Sequence, residues 1–206
     1  TNKWMMGVRN SFIIGIASTF LATALGTVAA LGLSRPHMPY KALIMAILIS
    51  PMIVPLIITA AGMFFFYSQL GLTHTFTGLI LAHTALGTPF VVITVTATLT
   101  GFDTNLIRAS QSLGADTLRT FFKVIMPLIL PGVISGALFA FITSFDEVVV
   151  VLFIGSIEQV TIPKQMWAGL RQETSPVILS MATCLVLLSI ALLTTVELLR
   201  RRSERL

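Results

Sequence analysis

The sequence predicts an all-α membrane protein, a polytopic helical bundle with five transmembrane helices. Two observations predict this class. Of the 206 residues, 55% are hydrophobic and 10% are charged, with a mean hydropathy of +0.95, whereas a water-soluble domain carries about a quarter charged residues. In addition, residues 42–102 contain no Asp, Glu, Lys or Arg, and this stretch is long enough for two spans of roughly 20 residues each.

The apolar stretches follow one another along a single transmembrane domain, residues 1–206. The turn-like segment 68–77 divides the long uncharged region into two spans, and Val148–Ile154 extends the fourth span beyond Phe145. Ser175-Pro176 suits the start of the last helix as cap and first helical residue. The five expected spans cover about residues 10–34, 42–67, 78–102, 124–154 and 176–199.

Basic residues set the expected orientation, because cytoplasmic segments of membrane proteins carry an excess of Lys and Arg. Four arginines follow the last span, so we expect a cytoplasmic C-terminus in a bacterial inner membrane. The loop 103–123 is then cytoplasmic as well, and nine of the 13 basic residues lie inside. The pI near 10 therefore reflects topology rather than nucleic-acid binding. The four basic residues left outside are Lys3, Arg9, Lys164 and Arg171.

Lys3 and Arg9 fit this orientation poorly, and the sequence does not begin with Met. We therefore expect that a first transmembrane helix is missing from this chain. Small residues at four-residue spacing predict close helix packing in lipid, and prolines within the spans predict kinks. The small residues are Ser18, Ala22, Gly26 and Ala30, and Gly132, Gly136, Ala140 and Ser144; the prolines are Pro51, Pro55, Pro89, Pro127 and Pro131.

The segment Asp103–Pro127 interrupts the apolar sequence with five charged residues. Apolar residues recur at roughly helical spacing, with Gly114 as a break. Asp103 is well placed to cap a first helix, and Thr117 to restart a second. One face is apolar enough to dock on another protein. Alternatively, the helix lies on the lipid surface, for which Arg108, Arg119 and Lys123 suffice.

This segment resembles the EAA loop of ABC importer permeases. The family pattern is Glu-Ala-Ala, three residues, Gly, nine residues, then Ile-x-Leu-Pro. Here the spacing matches fully, with Ala109, Gly114 and Pro127 identical. Arg108 stands where the family has Glu and so reverses a charge, whereas Ser110, Val124 and Met126 preserve size. Phe145-Asp146-Glu147-Val148-Val149, Thr161-Ile162-Pro163 and Ser175-Pro176 extend the resemblance to spermidine/putrescine-type permeases, over the chain from about Trp4.

The resemblance implies the type I ABC importer permease fold, with the polar segment as a cytoplasmic coupling helix seated on an ATPase. It also implies a second permease subunit, two ABC ATPase subunits that bind ATP and Mg, and a periplasmic substrate-binding protein. The chain contains no GxxxxGK followed by Ser or Thr, so we expect no cofactor here and ATP hydrolysis in the partner subunits. The implied ATPase-coupling residues are Leu106, Arg108, Ala109, Ser110, Leu113, Gly114, Ala115, Phe121 and Phe122.

The implied cargo is a small amine-containing solute, with a polyamine (spermidine or putrescine) as the first choice. Opines, 4-aminobutyrate and aminoethylphosphonate are alternatives within the same importer class. An alternative of another class is an intramembrane enzyme or assembly factor whose polar loop rests on lipid. No arrangement of residues for catalysis stands out.

Asp146 and Glu147 interrupt an apolar run near the outer leaflet, and charges in membrane spans usually face a partner or a cavity. One hypothesis is a cation site or gate on the substrate pathway. The other is structural: helix capping, or an ion pair with Lys164 or Arg171. Trp167, on the outer loop, is either an interfacial anchor or part of a gating loop. No metal site is expected, because the spacing of His37, His74 and His83 suits none.

Overall fold

The computed structural model describes residues 2–35, 37–172 and 176–203. These residues form ten α-helices and one π-helical turn, and they contain no β-strand. In order, the elements are α1 (Asn2–Leu33), α2 (Lys41–Ile53), α3 (Leu56–Gln69), α4 (Phe76–Thr100), α5 (Asn105–Ser112), α6 (Thr117–Thr120), the π turn (Phe121–Ile125), α7 (Met126–Phe145), α8 (Val149–Ile154), α9 (Ile162–Gln172) and α10 (Pro176–Ser203).

Three helices in the described part of the chain are long and apolar enough to cross a membrane. They are α1, α4 and the continuous helix from Thr117 to Phe145, which joins α6, the π turn and α7. The pair α2 and α3 is a fourth candidate if it counts as one span, and α10 contains a shorter apolar stretch, Leu179–Thr195. The fold is thus an all-helical membrane fold with three to four clear spans, and the number five stays a prediction.

The second expected span is not one helix. It breaks between Ile53 and Leu56, where the axis turns by 105°. Pro55 causes the break, because a proline lacks the backbone N–H that would continue the helix and restricts the residue before it to extended conformations. Val54 accordingly has φ −71° and ψ 134°. Pro51 is tolerated inside α2.

The expected fourth span, 124–154, is also interrupted. Helix α7 ends at Phe145, and α8 begins only at Val149. The break coincides with the two carboxylates, and Glu147 is used to start the second helix, as described below. This expected span therefore corresponds to two helices, because a buried carboxylate that accepts a backbone N–H favours a new helix start over helix continuation.

Helices α1, α4 and α7 pack against one another and form the core of the molecule. Both small-residue stripes contact α4. A Cβ added to Gly26 would lie 2.7 Å from Val91 Cβ, and one added to Gly136 would lie 2.8 Å from Val91 Cα. Gly87 on α4 makes a similar close contact with α7, since its added Cβ would lie 3.0 Å from Ala140 Cβ. The backbones therefore approach closely, as the spacing of small residues predicts.

Candidate functional site

The polar segment folds as two short helices joined by a glycine turn. Helix α5 begins after Asp103, whose Oδ1 accepts the Asn105 N–H at 2.9 Å. It ends in a Schellman motif, in which Gly114 N–H donates to Gln111 O at 2.9 Å and Ala115 N–H donates to Ser110 O at 3.0 Å. Gly114 has φ +82°, a conformation that glycine adopts without the steric cost that a Cβ adds.

Helix α6 starts at Thr117 and is capped by Asp116, whose Oδ1 accepts the Arg119 N–H at 2.7 Å. Sequence reasoning missed this cap, although an Asp directly before the restarting helix is a typical N-cap. After one turn of α6 the chain forms the π turn and then enters α7. Single π-helical turns within α-helices occur often at functional sites. Here the turn joins the polar segment to a membrane span.

Ser110 and Thr120 connect the two short helices. Ser110 Oγ lies 2.9 Å from Thr120 Oγ1, and Thr120 is buried. Ser110 therefore faces the rest of its own chain rather than outward. It replaces an alanine of the family pattern, and its hydroxyl gives α5 a hydrogen bond that alanine would lack. No local pattern indicates Thr120, because the contact depends on how the two helices fold back on each other.

The two faces of the polar segment differ. The inward face borders a cavity of about 400 Å³ beside the ends of α1 and α4. Ile107 and Phe121 line this cavity, so Phe121 does not contribute to the outward surface. The outward residues include large apolar side chains together with the guanidinium of Arg108. They are Leu106, Leu113, Leu118 and Phe122, of which Leu113 is 89% exposed, with the smaller Ala109 beside them.

At the opposite end of α7, Asp146 is exposed and follows the last residue of the helix. Within the described part of the chain its carboxylate has no hydrogen-bond or ion-pair partner. A helix C-terminus carries partial negative charge, so an anion is disfavoured there unless a cation is added. Asp146 is therefore a carboxylate that the described chain leaves uncompensated.

Glu147 differs from Asp146 in its burial and in its hydrogen bonding. It is buried, with 7% of its surface exposed, and its Oε1 accepts the Val150 N–H at 2.8 Å. This is a helix cap for α8, which favours the structural hypothesis for Glu147. The two adjacent carboxylates thus have different surroundings, since Asp146 is exposed and Glu147 is buried.

Lys164 caps the other end of α8. Its Nζ donates to three carbonyl oxygens, those of Val151 at 3.2 Å, Gly155 at 3.0 Å and Ser156 at 3.1 Å. A cation at this position complements the negative end of a helix. Partial burial lowers the pKa of Lys164 below its usual value. Its described contacts are thus with the carbonyl end of α8, not with Glu147.

Other side chains, which sequence reasoning missed, hold the loop between α8 and α9 in place. Asn10 Nδ2 donates to Glu158 O at 2.8 Å and to Val160 O at 3.0 Å. Ser11 Oγ accepts the Ile162 N–H at 2.9 Å. These contacts join residues about 150 positions apart, so no local pattern could predict them. Only the pair of polar residues at the start of an apolar stretch distinguishes Asn10 and Ser11 in the sequence.

The remaining candidate residues have separate surroundings. Trp167 is 43% exposed on α9, and the side chain of Arg171 lies outside the described residues. His83 is buried between the spans, where its Nδ1 lies 2.7 Å from Ser144 Oγ, which in turn contacts Ser18 Oγ at 3.0 Å. His83 is thus a packed residue that links α1, α4 and α7. Among the described residues no cluster could hold a metal ion.

Comparison with known proteins provides an independent view of the whole chain. Residues 22–205 match the model of the family "Binding-protein-dependent transport system inner membrane component". The chain is 30% identical, over 95% of its length and 76% of the relative, to the spermidine/putrescine transport system permease protein PotC of Haemophilus influenzae. It is 29% identical to PotC of Escherichia coli, over 98% of its length and 80% of that protein.

The fold is also similar to a solved structure. The inward-facing MetNI methionine ABC transporter matches with a TM-score of 0.76 at 21% identity, over 97% of this chain and 95% of that one. At this identity the likeness concerns the fold alone. It agrees with the helical membrane architecture described above.

Proposed function

Because this chain belongs to the family of binding-protein-dependent transport system inner membrane components and is a permease component of an ABC importer, we propose that it carries a polyamine of the spermidine/putrescine class. The family membership favours transport over an intramembrane enzyme or an assembly factor. It also implies ATPase and binding-protein partners. The proposal adds a second permease subunit, which completes the pathway, and two ATPase subunits, which supply ATP and Mg.

The observation that carries the choice of cargo is Asp146. A cationic amine compensates this exposed carboxylate, for which the described residues supply no cation, and it removes the unfavourable interaction with the end of α7. The similarity to the PotC proteins, which are named for spermidine and putrescine, supports the same choice. We assign Asp146 and Trp167 to the substrate pathway, and we assign Glu147 to the capping of α8.

We further propose that the polar segment docks on an ATPase subunit. Its outward apolar side chains, among them Leu113 and Phe122, are exposed to a degree typical of residues that bind a partner. The capped ends of α5 and α6 hold these side chains on a defined surface. In the lipid-surface alternative, the basic residues hold the segment on the membrane instead. Docking on the ATPase predicts that removal of the Leu113 side chain weakens ATPase binding, whereas the lipid-surface alternative predicts no change.

The proposed orientation has a cytoplasmic C-terminus and five spans, with α10 as the last. The arginines after residue 199, where the last expected span ends, support it, as does the position of the docking segment at the opposite end of α7 from Asp146. Accessibility of single cysteines to a membrane-impermeant reagent tests this orientation in a Cys184→Ser background. We expect labelling from outside at Ile157→Cys, in the α8–α9 loop, and none at Leu113→Cys. Labelling of Leu113→Cys from outside would reverse the topology.

Uptake by the reconstituted complex tests the cargo. We expect ATP-driven uptake of spermidine or putrescine that requires the binding protein. Asp146→Asn should reduce uptake about tenfold, the loss expected when a charge-assisted contact of about 1.5 kcal/mol disappears. Glu147→Gln is the matched control, since its amide oxygen still accepts the Val150 N–H. Normal uptake by the Asp146→Asn, Glu147→Gln double variant would reject the assigned role of Asp146, and transport of 4-aminobutyrate or aminoethylphosphonate alone would reject the cargo.

A further inference from the structure

The outer end of the molecule is held together by hydrogen bonds to backbone groups. Five groups contribute, and we call them the outer collar. They are the side chains of Asn10, Ser11, Glu147 and Lys164, and the backbone N–H of His74, which donates to Ile154 O at 2.8 Å. The collar joins the start of α1, the α3–α4 turn, both ends of α8 and the start of α9.

Within this collar, Lys164 makes a connection that helix packing leaves weak. Helix α8 packs against α3 and α4, whereas α9 packs against α1 and α10. The ammonium of Lys164, on α9, donates to three carbonyl oxygens at the end of α8 and just beyond it. This side chain therefore adds a direct contact between two groups of helices that are also joined by the packing of α1 against α4.

The two groups of helices carry the two residues assigned above to the substrate pathway. Asp146 lies between α7 and α8, three residues before α8 begins, and Trp167 lies one turn after Lys164 on α9. Glu147 fixes the start of α8 and Lys164 fixes its end. The position of Asp146 relative to Trp167 thus depends on both caps.

We propose that Lys164 is a positioning residue for transport, which holds α9 against the carbonyl end of α8 and so sets the separation of Asp146 and Trp167. The proposal rests on the proposed function, because those two residues are assigned to the pathway there. Lys164 itself does not contact the solute, since its donors are directed to the three carbonyls. It acts through the backbone of α8.

Lys164→Met removes the donors and keeps the length of the side chain, whereas Lys164→Arg keeps several donors on a cation. Lys3 supplies a matched control, because it is exposed and lines the same outer cavity of about 300 Å³ as Lys164. Lys3→Met therefore removes a positive charge from this cavity without removing the carbonyl contacts.

Two measurements on the complete reconstituted complex test the proposal. The first is the number of solute molecules taken up per ATP hydrolysed at saturating binding protein, which does not change if the variant merely lowers the amount of complex. The second is the distance between nitroxide labels at Leu152→Cys on α8 and Ala168→Cys on α9, in a Cys184→Ser background. Both labelled positions are exposed.

We expect Lys164→Met to assemble, to lower uptake per ATP about tenfold, as for the loss of hydrogen bonds from a charged donor, and to broaden the distance distribution. Lys164→Arg and Lys3→Met should resemble the parent in both measurements. The proposal is overturned by a Lys164→Met complex with parental values, by an equal defect in Lys3→Met, or by failure of Lys164→Arg to restore function. Failure of Lys164→Met to assemble would overturn it too, because Lys164 would then be purely structural.

Failure of the proposed function gives a different pattern. If Asp146→Asn leaves uptake unchanged, the assigned pathway is wrong. The distance measurement in Lys164→Met still reports whether the cap holds α8 and α9 together, because it does not depend on which residues meet the solute.

Discussion

Replacement of Gly114 tests whether the shape of the polar segment determines its docking. Gly114 has φ +82°, and an L-residue with a Cβ in the left-handed region costs about 1–2 kcal/mol. A Cβ here would meet no atom within 4 Å, so the cost of Gly114→Ala is conformational and not steric. Helix α5 packs mainly on α6 and the π turn, so we expect that the undocked segment of the variant shifts away from the strained turn. The docked form must keep the turn.

The strain therefore appears in the docking free energy. A cost of about 1–2 kcal/mol corresponds to roughly a 5- to 30-fold weaker affinity for the ATPase. We expect this loss for Gly114→Ala when binding of the purified ATPase to the permease in nanodiscs is measured. The affinity of Gly114→Asn should lie between those of the parent and of Gly114→Ala, because Asn populates the left-handed region more readily than most residues.

Gly101, which follows α4 two residues before the polar segment, supplies the control. It has φ −91° and ψ 4°, and its added Cβ likewise meets nothing within 4 Å. Gly101→Ala should keep parental affinity. Equal affinities for Gly114→Ala and Gly101→Ala would refute the argument that the left-handed turn shapes the docking surface. A Gly114→Asn variant as weak as Gly114→Ala would refute the assigned backbone cost.

Three further predictions concern other contacts. Gly26→Ala should destabilise the detergent-solubilised complex by about 1–3 kcal/mol through overpacking against α4. Gly32→Ala on the same helix, with open space around it, should be neutral or stabilising by up to about 1 kcal/mol. Equal melting temperatures of the two variants would contradict this prediction. Ser110→Ala and Thr120→Val should each weaken ATPase binding, and their double variant should show a coupling energy of about 0.5–3 kcal/mol. Additive losses of binding free energy would mean that the two hydroxyls do not act together. Glu147→Ala should cost about 1–3 kcal/mol of stability by leaving a buried N–H unpaired, with recovery in Glu147→Gln; an equal loss in both would indicate that the charge matters instead of the cap.

The polar segment illustrates how much of a site local sequence can predict. Asp103 as a cap, Gly114 as a turn and Thr117 as the start of the second helix are all local choices, and the structure contains each of them. Asp116 could have been found by the same reasoning. In contrast, Phe121 faces the cavity and Ser110 faces Thr120, because the fold-back of α5 on α6 determines which side of each helix remains outside.

The breaks in the expected spans show a second limit. The prolines predicted a kink in the second span, but the angle of 105° depends on how α2 and α3 pack on their neighbours. At Asp146 and Glu147, composition alone allowed either a continuous helix or a break. The break followed from burial, because Glu147 lies in the interior and accepts a hydrogen bond from the Val150 N–H there.

The sequence by itself determined the membrane class, the small-residue contacts between spans and the position of the polar segment. Each depends on composition or on spacing within one helix, since lipid requires long apolar stretches whose backbone groups are satisfied locally. Only the tertiary structure decided the separate roles of Asp146 and Glu147 and the outer collar around Lys164. These depend on how the segments fold on one another, since their hydrogen bonds go to backbone groups that lie from three residues away for Glu147 to about 150 residues away for Asn10. A backbone carbonyl leaves no trace in the identity of its residue.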